Sequence, residues 1–354
     1  MLFMTFIGVG IAKRKLGMKF SSLLLANVSQ LSDQSTFDPA SPSAVSIRDL
    51  SILVLFITGL IFVIVEGVLV YCLFRFRRRG LTNTEPPQVY GSKPIEVAWT
   101  AAPALIVFIL VLVSIRTIWE VKVSPPEPQE DDHALFVTVI GRQWWWEYIY
   151  ESYDGKKLGF TTANELHIPV SDKRVARRVH VTLKSADVCH SFWVPKLGGK
   201  TDLIPGHPNY TWIQTDRAEL FLGQCAEFCG SQHANMLIRV IAEPVADFEE
   251  WLKNQRQDAV DDPEVRAGKE TFLSQSCINC HRVRSTVAQG TFGPDLTHLM
   301  SRRSLASGMI ENTPQNLRGW VANPQNIKAS CLMPAFGLSD RDCEQIVNYL
   351  STLR

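Results

Sequence analysis

A chain of 354 residues has room for two globular domains and a smaller appendage. Its 36 Lys and Arg nearly cancel its 35 Asp and Glu, so no charge excess favours a nucleic-acid partner. An apolar fraction of 46% with a mean hydropathy of +0.02 fits a polar body carrying membrane segments. In chain order, the start MLFMTFIGVGIAKRK sets apolar residues before basic ones, the reverse of a signal peptide. Read from Met18, MKFSSLLLANVSQ has the right order, and residues 1–40 are expected to hold an export leader of about 30 residues.

Residues 41–120 read as a transmembrane helical hairpin. Ile52–Phe74 and Val97–Ile118 carry one charge each, Glu66 and Arg116, and either would span roughly 30 Å as a helix. Arg75, Arg77, Arg78 and Arg79 follow the first span, so the positive-inside rule makes the 75–96 loop cytoplasmic. Everything after about residue 119 then lies on the outer face. Glu66 within the first span is costly in lipid, on the order of 3 kcal/mol, and is expected to face a protein partner.

Residues 121–245 change character. LFVTVI, WEYIYE, RVHVTLKS, YTWIQT, ELFLG and MLIRVIAE are short, β-branched or aromatic, and separated by Gly, Pro, Asp and Asn. An antiparallel β-sandwich or Greek-key barrel is the expected fold. Residues 246–262 form an exit helix and an acidic linker. Residues 263–354 then read as a small all-α domain, closed by a helix with the apolar stripe Cys343, Ile346, Val347, Leu350 and Leu353.

Eight cysteines are unevenly used: four fall in two clusters, while Cys72, Cys189, Cys331 and Cys343 are scattered. That pattern suits cofactor attachment better than a disulfide framework. In CINCH, Cys277 and Cys280 have the spacing for covalent haem c and His281 for the iron ligand; a reactive dithiol or partial zinc site is the alternative. Of the methionines downstream, Met333 in LMPAF is the favoured sixth ligand, with His298 its rival. In GQCAEFCGSQHANM, Cys229, His233 and Met236 resemble a blue-copper loop, with His190 of HSFW as the remote imidazole. Cys225 is one thiolate too many for a single copper. Two thiolates can bridge two copper ions, each completed by one histidine and one weak ligand. A Cys225–Cys229 disulfide and a Cys₂His₂ zinc site are the alternatives.

Two transmembrane helices, a cupredoxin-like sandwich, HSFWVP and GQCAEFCGSQHANM resemble subunit II of cytochrome c oxidase with its dinuclear copper A centre. The fused CxxCH domain resembles the haem c module of caa-type oxidases. The resemblance implies that Cys225 and Cys229 bridge the coppers. His190 and Met236 would complete one ion, and His233 and the Glu227 carbonyl the other. It also assigns the Glu227 side chain to magnesium at the subunit I interface, Trp144 of GRQWWWEY to electron transfer, and Glu96 to the mouth of a proton channel. Cys189, before His190, and Cys331, before Met333, depart from the family's usual residues, and neither removes a ligand.

The implied protein relays electrons from cytochrome c through haem c and copper A to subunit I, where oxygen is reduced and protons are translocated. It would sit in a bacterial cell membrane with other oxidase subunits, both metal domains on the periplasmic or outer face. Two other readings remain: the copper A subunit of a haem-copper nitric oxide reductase, and a structural subunit like those of quinol oxidases. The complete ligand set opposes the second.

Overall fold

The computed structural model describes residues 34–77, 88, 90–122, 133–172 and 174–354. The expected leader and the arginines Arg78 and Arg79 lie outside the described residues. Helix α1 (Pro42–Arg75) and helix α2 (Lys93–Lys122) pack against each other, and both are long and apolar enough to cross a membrane. Helix α1 starts ten residues before the apolar run. Its first turn is polar and is held by protein: Ser41 Oγ accepts from Ala44 N (3.0 Å) and donates to Leu197 O (2.7 Å), to which Ser43 Oγ also donates. Ala40, Ser41, Ser43 and Ala44 are buried there. Asp38 pairs with Lys196 and Arg217 just before the helix, so the N-terminal end of α1 is tied to the sandwich.

The sandwich has two five-stranded sheets. The first runs β3 (Lys156–Ala163), β2 (Trp145–Tyr153), β1 (Leu135–Arg142), β5 (Val179–Ser185), β8 (Asn209–Ile213). The second runs β4 (Glu165–Pro169), β10 (Leu237–Glu243), β9 (Leu220–Cys225), β6 (His190–Trp193), β7 (Thr201–Leu203). Alternation along β2 turns Trp146, Tyr148 and Tyr150 into the core, all fully buried. The sheets are mixed, not antiparallel as expected: β1 pairs parallel with β5, and β4 parallel with β10. A parallel pair needs the chain to leave the sheet and return in the same direction, which turn residues alone do not encode.

Beyond helix α3 (Val245–Gln255) a second core forms. It is built from α4 (Arg266–Ser274), the single turn α5 (Cys277–Cys280), the strand pair β11 (Ser304–Leu305) and β12 (Ile310–Glu311), α6 (Pro314–Ala322) and α7 (Asp340–Leu350). Helix α7 is capped by Ser339, whose Oγ accepts from Asp342 N (3.1 Å). Its stripe of Cys343, Ile346, Val347 and Leu350 is buried. Helices α4 and α7 cross at Gly268, where a Cβ would stand only 2.0 Å from Gln345 O.

Candidate metal centres and the cleft between them

The ends of β6 and β9 and the loop after β9 gather six donor groups at the tip of the sandwich. Cys225 closes β9, His190 opens the neighbouring β6, and residues 226–236 fold back so that Met236 precedes β10. Cys225 Sγ lies 3.8 Å from Cys229 Sγ, 3.9 Å from His190 Nδ1 and 3.2 Å from Glu227 O. Cys229 Sγ lies 3.6 Å from His233 Nδ1 and 3.9 Å from Met236 Sδ. All six groups expected from the sequence therefore meet. A sulfur separation of 3.8 Å is far from the roughly 2.05 Å of a disulfide. The thioether and carbonyl exceed what a four-coordinate zinc takes. Two soft thiolates, two imidazoles and two weak donors fit a pair of copper ions sharing both sulfurs.

Electrostatics set the two thiols apart. The Cys225 thiol is held low, chiefly by a hydrogen bond from Cys229 and further by His190, while the same contact and burial push Cys229 up. Burial is the largest influence on His190 and pulls it down, but its bonds and charge attraction to the Asp187 carboxylate and the Cys225 thiol together outweigh this and leave it raised. Asp187 Oδ1 takes His190 Nε2 at 2.8 Å, which turns Nδ1 toward the thiols. Sequence reading missed Asp187, although it stands three residues before the histidine in DVCH. It also missed Gly141, where a Cβ would lie 2.7 Å from His190 Cδ2.

Trp144 is in the turn between β1 and β2. Its indole Nε1 donates to Cys229 O at 2.9 Å, and Gln143 Nε2 donates to the same oxygen at 2.7 Å. Gly230 allows the close approach: a Cβ there would stand 2.9 Å from Trp144 Cζ2. Trp144 also lines a cleft of about 1310 Å³, part of it open to solvent. Across the cleft stand Cys277, Cys280, His281 and Met333.

This cleft fits a haem. His281 Nδ1 bonds to Pro294 O at 2.8 Å, which leaves Nε2 available to iron. Gly293 lies flat against the imidazole, since a Cβ would come within 2.7 Å of Cε1. Burial lowers the pKa of His281, favouring the neutral ring a metal needs. Met333 is the one methionine among the described residues lining the cleft. The rival His298 is engaged elsewhere, with Nδ1 on Arg354 O (2.6 Å) and Nε2 against Arg284 Nη2 (2.8 Å) and Gln257 O (3.0 Å). Glu227 is exposed, Glu96 half-buried in the first turn of α2, and Cys189 exposed. The half-buried Cys331 thiol takes a bond from Gln325 Nε2.

Comparison with known proteins agrees. Family models match residues 29–117 as cytochrome c oxidase subunit II, transmembrane domain, and 135–243 as its periplasmic domain. A cytochrome c model matches residues 265–354. Cytochrome c oxidase subunit 2 of Alkalihalophilus pseudofirmus is 33% identical over 346 residues, 97% of each chain. The chain belongs to the cytochrome c oxidase subunit II family. The Bacillus subtilis subunit 2 is 31% identical to this family member, over 90% of this chain and 92% of its own. The solved periplasmic domain of subunit II from Bradyrhizobium japonicum is 30% identical over 36% of this chain and 96% of its own, with a TM-score of 0.32. The matched families imply copper A and haem c for this subunit II, an electron-transfer role, assembly with other oxidase subunits and a membrane anchor.

Proposed function

We propose that this subunit receives electrons from a cytochrome c at its haem domain and passes them by way of haem c and copper A to subunit I, where oxygen is reduced and protons are translocated. The observation that carries this reading is Trp144, hydrogen-bonded to the backbone of Cys229 and lining the cleft that Cys277, Cys280 and His281 share. When bound, the two groups supply one-electron carriage with little rearrangement.

The chain's own residues do the rest. Cys225, Cys229, His190, His233, Met236 and the Glu227 carbonyl would hold the copper pair, the two thiols being the donors both ions could share. Cys277 and Cys280 would attach the haem covalently, and His281 and Met333 would supply the donors to its iron. Asp187 keeps the His190 imidazole aimed, and Trp144 couples the two sites. The exposed Glu227 carboxylate is free to hold magnesium against subunit I, and Glu96 stands at the cytoplasmic end of α2 for proton uptake. Both metal domains lie on the outer face, because the arginines that follow α1 favour the cytoplasm.

The test is turnover of the purified membrane complex with reduced cytochrome c, comparing oxygen with nitric oxide, in the parent and in Cys229→Ser. Oxygen consumption that collapses in Cys229→Ser is expected. Turnover with nitric oxide alone would make the complex a nitric oxide reductase, and normal turnover of the variant would sink the relay.

A further inference from the structure

The haem domain does not merely hang on its linker; it is seated on the sandwich through buried polar contacts. Glu165 of β4, 1% exposed, accepts from Arg303 N (2.8 Å) and Ser304 Oγ (2.6 Å). Arg239 of β10 donates to Gly308 O at 2.8 Å. Gln232, in the copper loop, donates to Ala329 O at 2.5 Å.

At the centre of this interface is Lys328, 3% exposed. An ammonium has three donors and no acceptor, and a buried one is tolerated only when those donors are met. Lys328 Nζ meets Trp144 O at 2.8 Å, Asn235 O at 2.8 Å and Ala306 O at 3.2 Å. Each carbonyl belongs to a different working part. Trp144 is the aromatic between the sites, Asn235 directly precedes Met236, and Ala306 is in the haem-domain turn that abuts β10. Lys328 itself lies five residues before Met333, on the segment that walls the cleft. Burial pushes the ammonium down to about 7, countered by attraction to the Cys331 and Cys229 thiols.

We propose that Lys328 is a positioning residue that locks the haem domain in register with the copper loop, so that the two redox domains act as one rigid body rather than as a carrier that swings on a tether. No other contact named above joins the Trp144 turn, the Met236 approach and the Met333 segment through one atom. Electron transfer falls steeply with separation, so a loosened register reads directly as a slower step. The inference rests on the relay proposed above.

The experiment uses the intact oxidase with both metal sites loaded. Haem c is reduced by a flash, and oxidation of the haem and reduction of the copper band are followed at several solvent viscosities. A rigid pair gives a rate independent of viscosity; a swinging domain gives one that falls as viscosity rises. The parent should be independent. Lys328→Met keeps the stem and removes the donors. It should be slower by about tenfold or more and become viscosity-dependent, with copper content and haem spectrum unchanged. Where Lys328→Met does not accumulate, Lys328→Gln should show the same change to a smaller extent. A parent rate that tracks viscosity overturns the rigid body, and a fully loaded variant with the parent's rate and viscosity independence overturns the role of Lys328. If the parent passes no electron from haem to copper, the relay itself fails instead.

Discussion

At the scale of single residues, the sites depend on small side chains and orienting partners as much as on ligands. Asp187 touches no expected copper donor except His190, yet it sets which ring nitrogen faces the thiols. Removing such a partner typically lowers metal affinity by about 10–100-fold. Asp187→Asn should therefore lose copper to a competing chelator at correspondingly lower chelator concentration, with haem content unaffected. Retention equal to the parent would show that the β6 backbone alone aims His190. Gly293 plays the matching part for haem. Gly293→Ala places a methyl within 2.7 Å of the His281 ring, which must tilt. The expected result is an altered haem spectrum with the thioether bonds still formed; an unchanged spectrum would mean the 290–294 segment gives way.

At the scale of elements, the haem domain is held by one close helix crossing. At Gly268, α4 meets the backbone of α7 at Gln345, and no flexible side-chain end is available to yield. Overpacking of this kind costs about 1–3 kcal/mol. Thermal unfolding of Gly268→Ala, followed by haem absorbance in the full chain, should shift down by several degrees, on the order expected for a domain of this size. No shift would mean that the two helices slide apart freely. Local signals served well here. The stripe along α7 and the exit helix α3 stand where residue patterns placed them, because each is specified within a few turns. Strands β3, β4, β6 and β7 escaped the initial strand assignment. β4 does alternate polar and apolar residues, but it is only five residues long and buries Glu165 and His167 along with Leu166 and Ile168, so its polar face does not mark a solvent-facing side.

At the scale of the whole molecule, three parts are joined by buried polar groups. Ser41 and Ser43 tie the N-terminal end of α1 to Leu197, and Glu165, Arg239 and Lys328 tie the haem domain to the sandwich. Glu165→Ala leaves Arg303 N and Ser304 Oγ without their buried acceptor, a loss of about 1–3 kcal/mol or more. Faster protease cleavage in the 257–262 linker is the expected consequence, measured on the assembled complex. Unchanged cleavage would place the stability of the interface elsewhere.

The chemistry proposed for each site was legible because it is written in short, contiguous stretches: residues 223–236 carry five of the six proposed copper donors, and residues 277–281 carry both proposed haem thiols and a proposed iron ligand. Transmembrane spans were legible for a similar reason, since lipid imposes one composition over one continuous length. Folding in three dimensions alone decided the parallel strand pairs, the glycine at position 141 that admits His190, the carboxylate that aims it, and the lysine between the domains. Those features depend on which distant segments meet, and a residue such as Lys328 looks like any surface lysine until three carbonyls from elsewhere in the chain close around it.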